Sequence, residues 1–257
     1  MTIIMKQIYL IGLIFLLGFP HIHAQQSDGT LTIMTYNLYR DFESNTQNSR
    51  IPEFAKVIAS CNPDVVSLQE VRGISNLFQL SLATGLKGRR YNILPFYGIG
   101  MLWNSRLGKP VITSYELKAL KDSKDKEARA FMVAEFKTFY FISTHFSLDE
   151  RDRDRMVETI ISFAQSVSKP VYLAGDLNVT PEDSAILKFK ANNFILLSDP
   201  TQYTFRSNNP DRQLDLILVC PNQSEAPTII DRGTTDFPKD YLVKLSDHLP
   251  YWVKVKN

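Results

Sequence analysis

Glu70, Asp176 and Asp215 each interrupt an apolar run, in DVVSLQEV (64–71), VYLAGDLN (171–178) and QLDLILV (213–219). Asn37 closes a further apolar stretch, LTIMTYN (31–37), and Asn178 follows Asp176 by two. Strand alternation predicts Glu70 on the face of Val66 and Leu68, and Asp215 on the face of Ile217 and Val219. It also predicts that Asp176 and Asn178 share a face. A carboxylate among buried apolar side chains is costly unless it is paired or holds a cation. One such residue commonly serves a turn. Three carboxylates and two carboxamides at strand ends form the oxygen-rich set that Mg²⁺ or Ca²⁺ requires.

Histidine adds an independent signal. There are four, of which His21 and His23 lie in the N-terminal apolar segment, leaving His145 and His248 for the rest of the chain. His145 ends the run FYFIST, and His248 stands beside Asp247 in LSDHLP. Both sit in polar breaks flanked by Ser, Thr or Asp, a setting in which imidazole can be oriented for proton transfer.

The elements that would position these groups follow from periodicity. Strands are predicted at 31–39, 64–71, 111–117, 130–136, 139–146, 171–177, 213–219, 227–230 and 251–255. A helix starting at Ser49 places Ile51, Phe54, Ala55, Ile58 and Cys61 on one face, and Asn62-Pro63 stops it. Another runs through Leu77–Ala83 to Gly85, and a long one carries Met156, Val157, Ile160, Ile161, Ala164 and Val167. Thr180-Pro181 reads as the start of a short helix, and Glu150–Arg155 as a solvent-exposed helix start. Lys87, Arg89 and Arg90 read as a solvated basic loop. Several strands are apolar on both faces, which argues for sheets covered on each side.

Composition limits the function. The chain has 257 residues, with 29 basic and 27 acidic side chains and a net charge of +2, so its overall charge makes no case for coating nucleic acid or an anionic membrane. Residues 1–24 combine an early lysine, the uncharged run Ile8–Phe19 and Ala24 before Gln25, the pattern of a cleaved secretory signal. The run is too short to span a bilayer, so the expectation is an exported protein, periplasmic or extracellular, without stable membrane insertion. Residues 25–257 are then one domain, expected to be monomeric. Its two cysteines, Cys61 and Cys220, show no metal-ligand spacing and read as small buried hydrophobes.

The motifs Thr35-Tyr-Asn37, Leu68-Gln-Glu-Val71, Ser143-Thr-His145, Gly175-Asp-Leu-Asn178, Leu214-Asp-Leu-Ile217 and Ser246-Asp-His-Leu-Pro250 occur in one order across nearly all of residues 30–257. In these the chain resembles the endonuclease/exonuclease/phosphatase (DNase I-like) family. The strand GIGMLWNS (98–105) matches that family's pattern only loosely. The resemblance implies an α/β fold: a four-layer α/β sandwich of two packed, mostly antiparallel sheets flanked by helices. It further implies a Mg²⁺-dependent phosphoesterase, with Mn²⁺ as an alternative metal. By the same resemblance Glu70 is the principal metal ligand, with Asn37 and Asp247 as nearby metal or supporting groups. Asp176 orients or deprotonates the attacking water, and Asn178 holds the phosphate or that water. His248 contacts the phosphate with Asp215 fixing its tautomer, and His145 donates to a phosphate oxygen or assists the leaving group.

The substrate class stays open between a phosphodiesterase or nuclease, the leading expectation, and a hydrolase of small or lipid phosphoesters of the inositol phosphate or sphingomyelin type. A non-catalytic binding module on the same fold would be expected to lack Glu70, Asp176, Asp215 or His248, and all four are present.

Overall fold

A computed structural model describes residues 29–39, 46–94 and 97–256. The signal-like segment 1–24 lies outside the described residues. The chain opens with β1 (Thr30–Asn37), α1 (Thr46–Ser60) and β2 (Val65–Gln69), then α2 (Ile74–Thr84), β3 (Lys87–Leu94) and β4 (Tyr97–Trp103). Next come β5 (Val111–Leu117), β6 (Arg129–Glu135), β7 (Tyr140–His145), α3 (Glu150–Gln165) and β8 (Val171–Asp176). The remainder is α4 (Ser184–Ala191), β9 (Ile195–Leu196), β10 (Asp215–Cys220), β11 (Thr228–Gly233), α5 (Lys239–Leu242) and β12 (Tyr251–Lys256).

The strands form two six-stranded sheets, ordered β11-β12-β1-β2-β4-β3 and β5-β6-β7-β8-β10-β9. Each sheet is antiparallel except for one internal parallel pair, β1 with β2 and β7 with β8. Parallel neighbours need a crossover, and α1 and α3 supply the two.

Burial divides the apolar residues into three layers of contact. Between the sheets, Ile33, Val65 and Met101 of the first meet Met132, Phe141, Tyr172 and Ile217 of the second. The other face of the first sheet, with Met34, Tyr36 and Leu68, packs against Phe54, Ile58, Leu77 and Leu80 of α1 and α2. The other face of the second, with Ile142, Leu173 and Leu218, packs against Met156, Ile160 and Phe189 of α3 and α4. Both sheets are therefore apolar on both sides, and the order helix, sheet, sheet, helix is the expected four-layer sandwich.

Local details correct four expectations. Lys87, Arg89 and Arg90 lie on β3, an edge strand, because that strand pairs with β4. The first helix starts at Thr46, three residues before Ser49. The short helix begins at Ser184 with Asp183 as its cap, its carboxylate accepting from Ala185 N at 2.9 Å. Thr180 and Pro181 form only the turn before it. The start of α3 is partly buried: Asp149 caps Arg151 N and also accepts from Lys124 N, while Asp152 accepts from Leu120 N. These carboxylates bind the 118–125 loop to the helix and do not face solvent. Both cysteines are free, Cys220 buried and Cys61 partly so.

Candidate active site

The site forms where the inner faces of the two sheets turn polar at one end. Along β7, β8 and β10 the inward residues are apolar, Ser143 excepted, until the last row, in which His145, Asp176 and Asp215 stand side by side in register. In the first sheet the same end is marked by Asn37, the last residue of β1, whose register partner is Gln69. Below this row the sheets are bridged by Ser67 Oγ and Ser143 Oγ at 2.7 Å, and Gln69 Nε2 donates to Ser67 Oγ. The alternation of a buried strand thus delivers four polar side chains to one place.

Three side chains surround one oxygen, Asp176 Oδ2. Asn37 Nδ2 donates to it at 3.1 Å, His145 Nε2 lies at 3.4 Å and His248 Nε2 at 3.5 Å. The other oxygen, Oδ1, accepts from Asn178 N at 3.0 Å. Asp176 is 1% exposed, and burial, with Asp215 adding to it, pushes its carboxyl up to about 6 against the opposing charge of His248. A carboxyl raised in this way is a stronger proton acceptor than a free aspartate.

His248 comes from the loop before β12. Its Nδ1 bonds Asp215 Oδ2 at 2.8 Å, and the Phe205 ring lies 4.8 Å from the imidazole. Burial opposes its charge, but the carboxylates of Asp215 and Asp176 outweigh that cost and push it up to about 10. The two carboxylates thus favour its charged form. Ser246 Oγ accepts from His248 N and donates to Asn37 O, which ties this loop to β1.

Glu70 and Asn178 depart from the expected strand alternation. β2 ends at Gln69, and Glu70 has φ 55°, so it does not continue the face of Val66 and Leu68. Its carboxylate accepts from Asn37 Nδ2 at 3.3 Å. A left-handed non-glycine residue costs about 1–2 kcal/mol and needs external support. Arg90 provides it by donating Nε and Nη2 to Val71 O at 3.0 and 2.9 Å, while Val71 N donates to Gly98 O. Asn178 has φ 52°, and its Nδ2 donates to Phe146 O at 2.8 Å, so it braces the turn after β8 and does not share the face of Asp176.

Asp247 stands next to His248, with Oδ1 buried and lacking a hydrogen-bond partner among the described residues. Burial raises its carboxyl above the usual carboxylate range, and the negative charge of Glu70 raises it further. Asn37 uses both ends of its carboxamide, Oδ1 accepting from Tyr39 N at 2.9 Å and Nδ2 reaching Glu70 and Asp176.

Sequence reasoning missed the residues behind His145. Tyr97 OH lies 2.8 Å from His145 Nδ1, and Arg129 Nη1 donates to the same hydroxyl. Arg129 is gripped by Asp125 Oδ2, at 2.7 Å from Nη2 and 3.0 Å from Nε. The available signal was an arginine heading the apolar strand AFMVAEF (130–136). Arg90 carried a signal too, a third cation in KGRR that the loop reading absorbed.

The sequence profile of the Endonuclease/Exonuclease/phosphatase family matches residues 34–248. No curated protein sequence matches the chain. Among solved structures, an endonuclease/exonuclease/phosphatase from Bacteroides vulgatus superposes with a TM-score of 0.73 at 18% identity, covering 88% of this chain and 98% of that one. A mannosyl-6-phosphatase of Bacteroides thetaiotaomicron gives 0.69 at 17% identity, covering 88% and 99%. D. rerio TDP2 in complex with a single-strand DNA product gives 0.68 at 16% identity, covering 90% and 100%. At these identities the likeness is one of fold.

Proposed function

Because the chain belongs to the endonuclease/exonuclease/phosphatase family, we propose that it is an exported, divalent-metal-dependent hydrolase of phosphoester bonds, foremost a phosphodiesterase or nuclease. The observation that carries this reading is the meeting of Asn37, His145 and His248 around a single oxygen of Asp176. A carboxylate of raised basicity beside an imidazole whose charged form is favoured suits hydrolysis at phosphorus, which uses both.

The residues present suit a hard cation. Asp247 Oδ1 is an orphaned buried oxygen, and the carboxylate it belongs to is raised partly by Glu70, a repulsion that a cation would relieve. Among the described residues no three His, Cys, Asp or Glu side chains form a closed metal cage. An open site of one or two carboxylates, completed by water, is what Mg²⁺ favours, and Mn²⁺ accepts similar ligands. Glu70 and Asp247 would hold the ion, with Asn37 fixing Glu70. A bound divalent ion supplies Lewis-acid polarisation of the phosphoryl oxygen.

The protein's own groups do the rest. Asp176 accepts the proton of the attacking water. His248, charged and fixed by Asp215, meets the negative charge that gathers on the phosphoryl oxygens. His145 presents Nε2 on the other side of Asp176. Asn178 keeps Asp176 aimed through its backbone N–H.

A second reading, hydrolysis of small phosphomonoesters, is favoured by the near-neutral charge and by the mannosyl-6-phosphatase among the structural neighbours. The deciding experiment incubates the purified protein with Mg²⁺ or Mn²⁺ and a substrate panel. The panel comprises plasmid DNA, RNA, sphingomyelin, inositol phosphates, and mono- and bis-p-nitrophenyl phosphate. EDTA-sensitive hydrolysis of the diester is expected; inertness toward the whole panel overturns the proposal. N-terminal sequencing of the exported protein tests cleavage near Ala24, and an intact Met1 would contradict it.

A further inference from the structure

The two active-site histidines are built into opposite states. His248 directs Nδ1 at a carboxylate, Asp215, so that nitrogen carries a proton. His145 directs Nδ1 at a hydroxyl and a guanidinium: Tyr97 OH at 2.8 Å and Arg129 Nη1 at 3.4 Å. An arginine only donates and stays charged. It donates to Tyr97 OH, which leaves the tyrosine hydrogen for His145 Nδ1. A proton on Nδ1 would instead face a buried cation. The charged and titratable groups against this ring include Tyr97 from β4, Arg129 from β6 and Asp176 from β8, with Asp125 behind Arg129.

We propose that Arg129, acting through Tyr97, is a positioning residue that fixes His145 as the neutral tautomer with its hydrogen on Nε2, aimed at Asp176. Arg129 is rigidly placed for this: its side chain is 7% exposed, and it is held by Asp125. Asp125 Oδ2 also accepts from Ser147 Oγ at 2.9 Å and Leu148 N at 3.0 Å, two and three residues beyond His145. The cation and the histidine are thus anchored to the same stretch of chain.

The catalytic consequence, which rests on the phosphoesterase reading, is a division of labour. His145 serves as a hydrogen-bond donor to a phosphoryl oxygen and holds no second proton to deliver to a leaving group. His248, with Nδ1 committed to Asp215, presents its other nitrogen from the opposite side. The tautomer itself does not depend on the substrate.

The test is long-range ¹⁵N–¹H NMR of the histidine-labelled protein at neutral pH without substrate, assigned with His145→Asn. The expected spectrum shows His145 Nδ1 unprotonated and Nε2 protonated, whereas His248 carries a proton on Nδ1. Tyr97→Phe removes one oxygen and should shift His145 toward a mixture of tautomers. It should also lower kcat by about 10- to 100-fold with a smaller change in KM. Arg129→Gln should do the same if it folds; Tyr97→Phe keeps the test decisive if it does not. A protonated Nδ1 in the unaltered protein, or an unchanged tautomer in Tyr97→Phe, overturns the assignment. If the protein hydrolyses no phosphoester, the spectrum still decides the tautomer; if it hydrolyses one and Nδ1 is protonated, this inference alone fails.

Discussion

Asp176 and Asp215 face each other in register on neighbouring antiparallel strands, both fully buried, and His248 lies between them with one nitrogen toward each. Two like charges directly opposite on a sheet repel, and burial sharpens the repulsion. A single imidazolium shared by both carboxylates resolves it. The same arrangement that makes the pair tolerable places a cation at the centre of the site.

That sharing makes Asp215 and His248 one unit. Asp215→Asn should lower turnover by about 10²- to 10⁴-fold, His248→Ala by a similar factor, and the double variant by no more than either. Mg²⁺ affinity should change little in Asp215→Asn, because the orienting charge and not a metal ligand is removed. Removing His248 also leaves two buried carboxylates, at a cost of about 3–5 kcal/mol. Kinetics on protein shown to be folded by circular dichroism checks this; near-normal turnover by folded His248→Ala would refute the assignment.

Metal binding should register in stability as well as in rate. Mg²⁺ in excess should raise the Tm of the unaltered protein by mass action, and the rise should vanish in Glu70→Gln and Asp247→Asn. EDTA should abolish hydrolysis and leave the circular dichroism spectrum intact. A Mg²⁺-dependent Tm that survives both substitutions would place the ion elsewhere.

Gly175 precedes Asp176 and pairs with Thr144, the residue before His145. A Cβ there would meet the Thr144 carbonyl oxygen at 2.3 Å, so backbone must move. Gly175→Ala should cost about 1–3 kcal/mol in denaturant unfolding and should lower activity by separating His145 from Asp176. Unchanged stability would show that the strands part without strain.

Asp149 sets an acid limit on stability. Backbone donation from Lys124, joined by that of Arg151, outweighs desolvation and pulls its carboxyl to about 2 from an ordinary 3.8. The stabilisation is full above the ordinary value and is lost as pH falls through about 2. Asp149→Asn should therefore lower the urea midpoint at pH 7, and the gap to the unaltered protein should close in acid. A gap that does not vary with pH would mean that the charge contributes nothing.

The row His145, Asp176, Asp215 was legible because each ends a regular strand, where period-two reasoning holds to the last residue. The four layers were legible for a related reason, since strands apolar on both faces require cover on both sides. Glu70 and Asn178 were placed correctly as strand-end polar residues but on the wrong face. Both have positive φ, and one left-handed residue cancels the parity on which the inference rests. Tyr97 and Arg129 were invisible for a different reason. Their importance arises from pairing across β4, β6 and β7, and no local pattern encodes contacts between residues 32 and 48 positions apart.

β1 sits inside the first sheet with β12 hydrogen-bonded along one edge, from Thr30 against Lys256 to Thr35 against Tyr251. More than two hundred residues separate β1 from β12, so this edge of β1 is closed by one of the longest-range pairings in the sheet. Asn37 and His248 share that separation, since Ser246, two residues before His248, reaches Asn37 across it. The row His145, Asp176 and Asp215 belongs to the other sheet, so closing the site over it depends on the two ends of this stretch of chain meeting at β1 and β12.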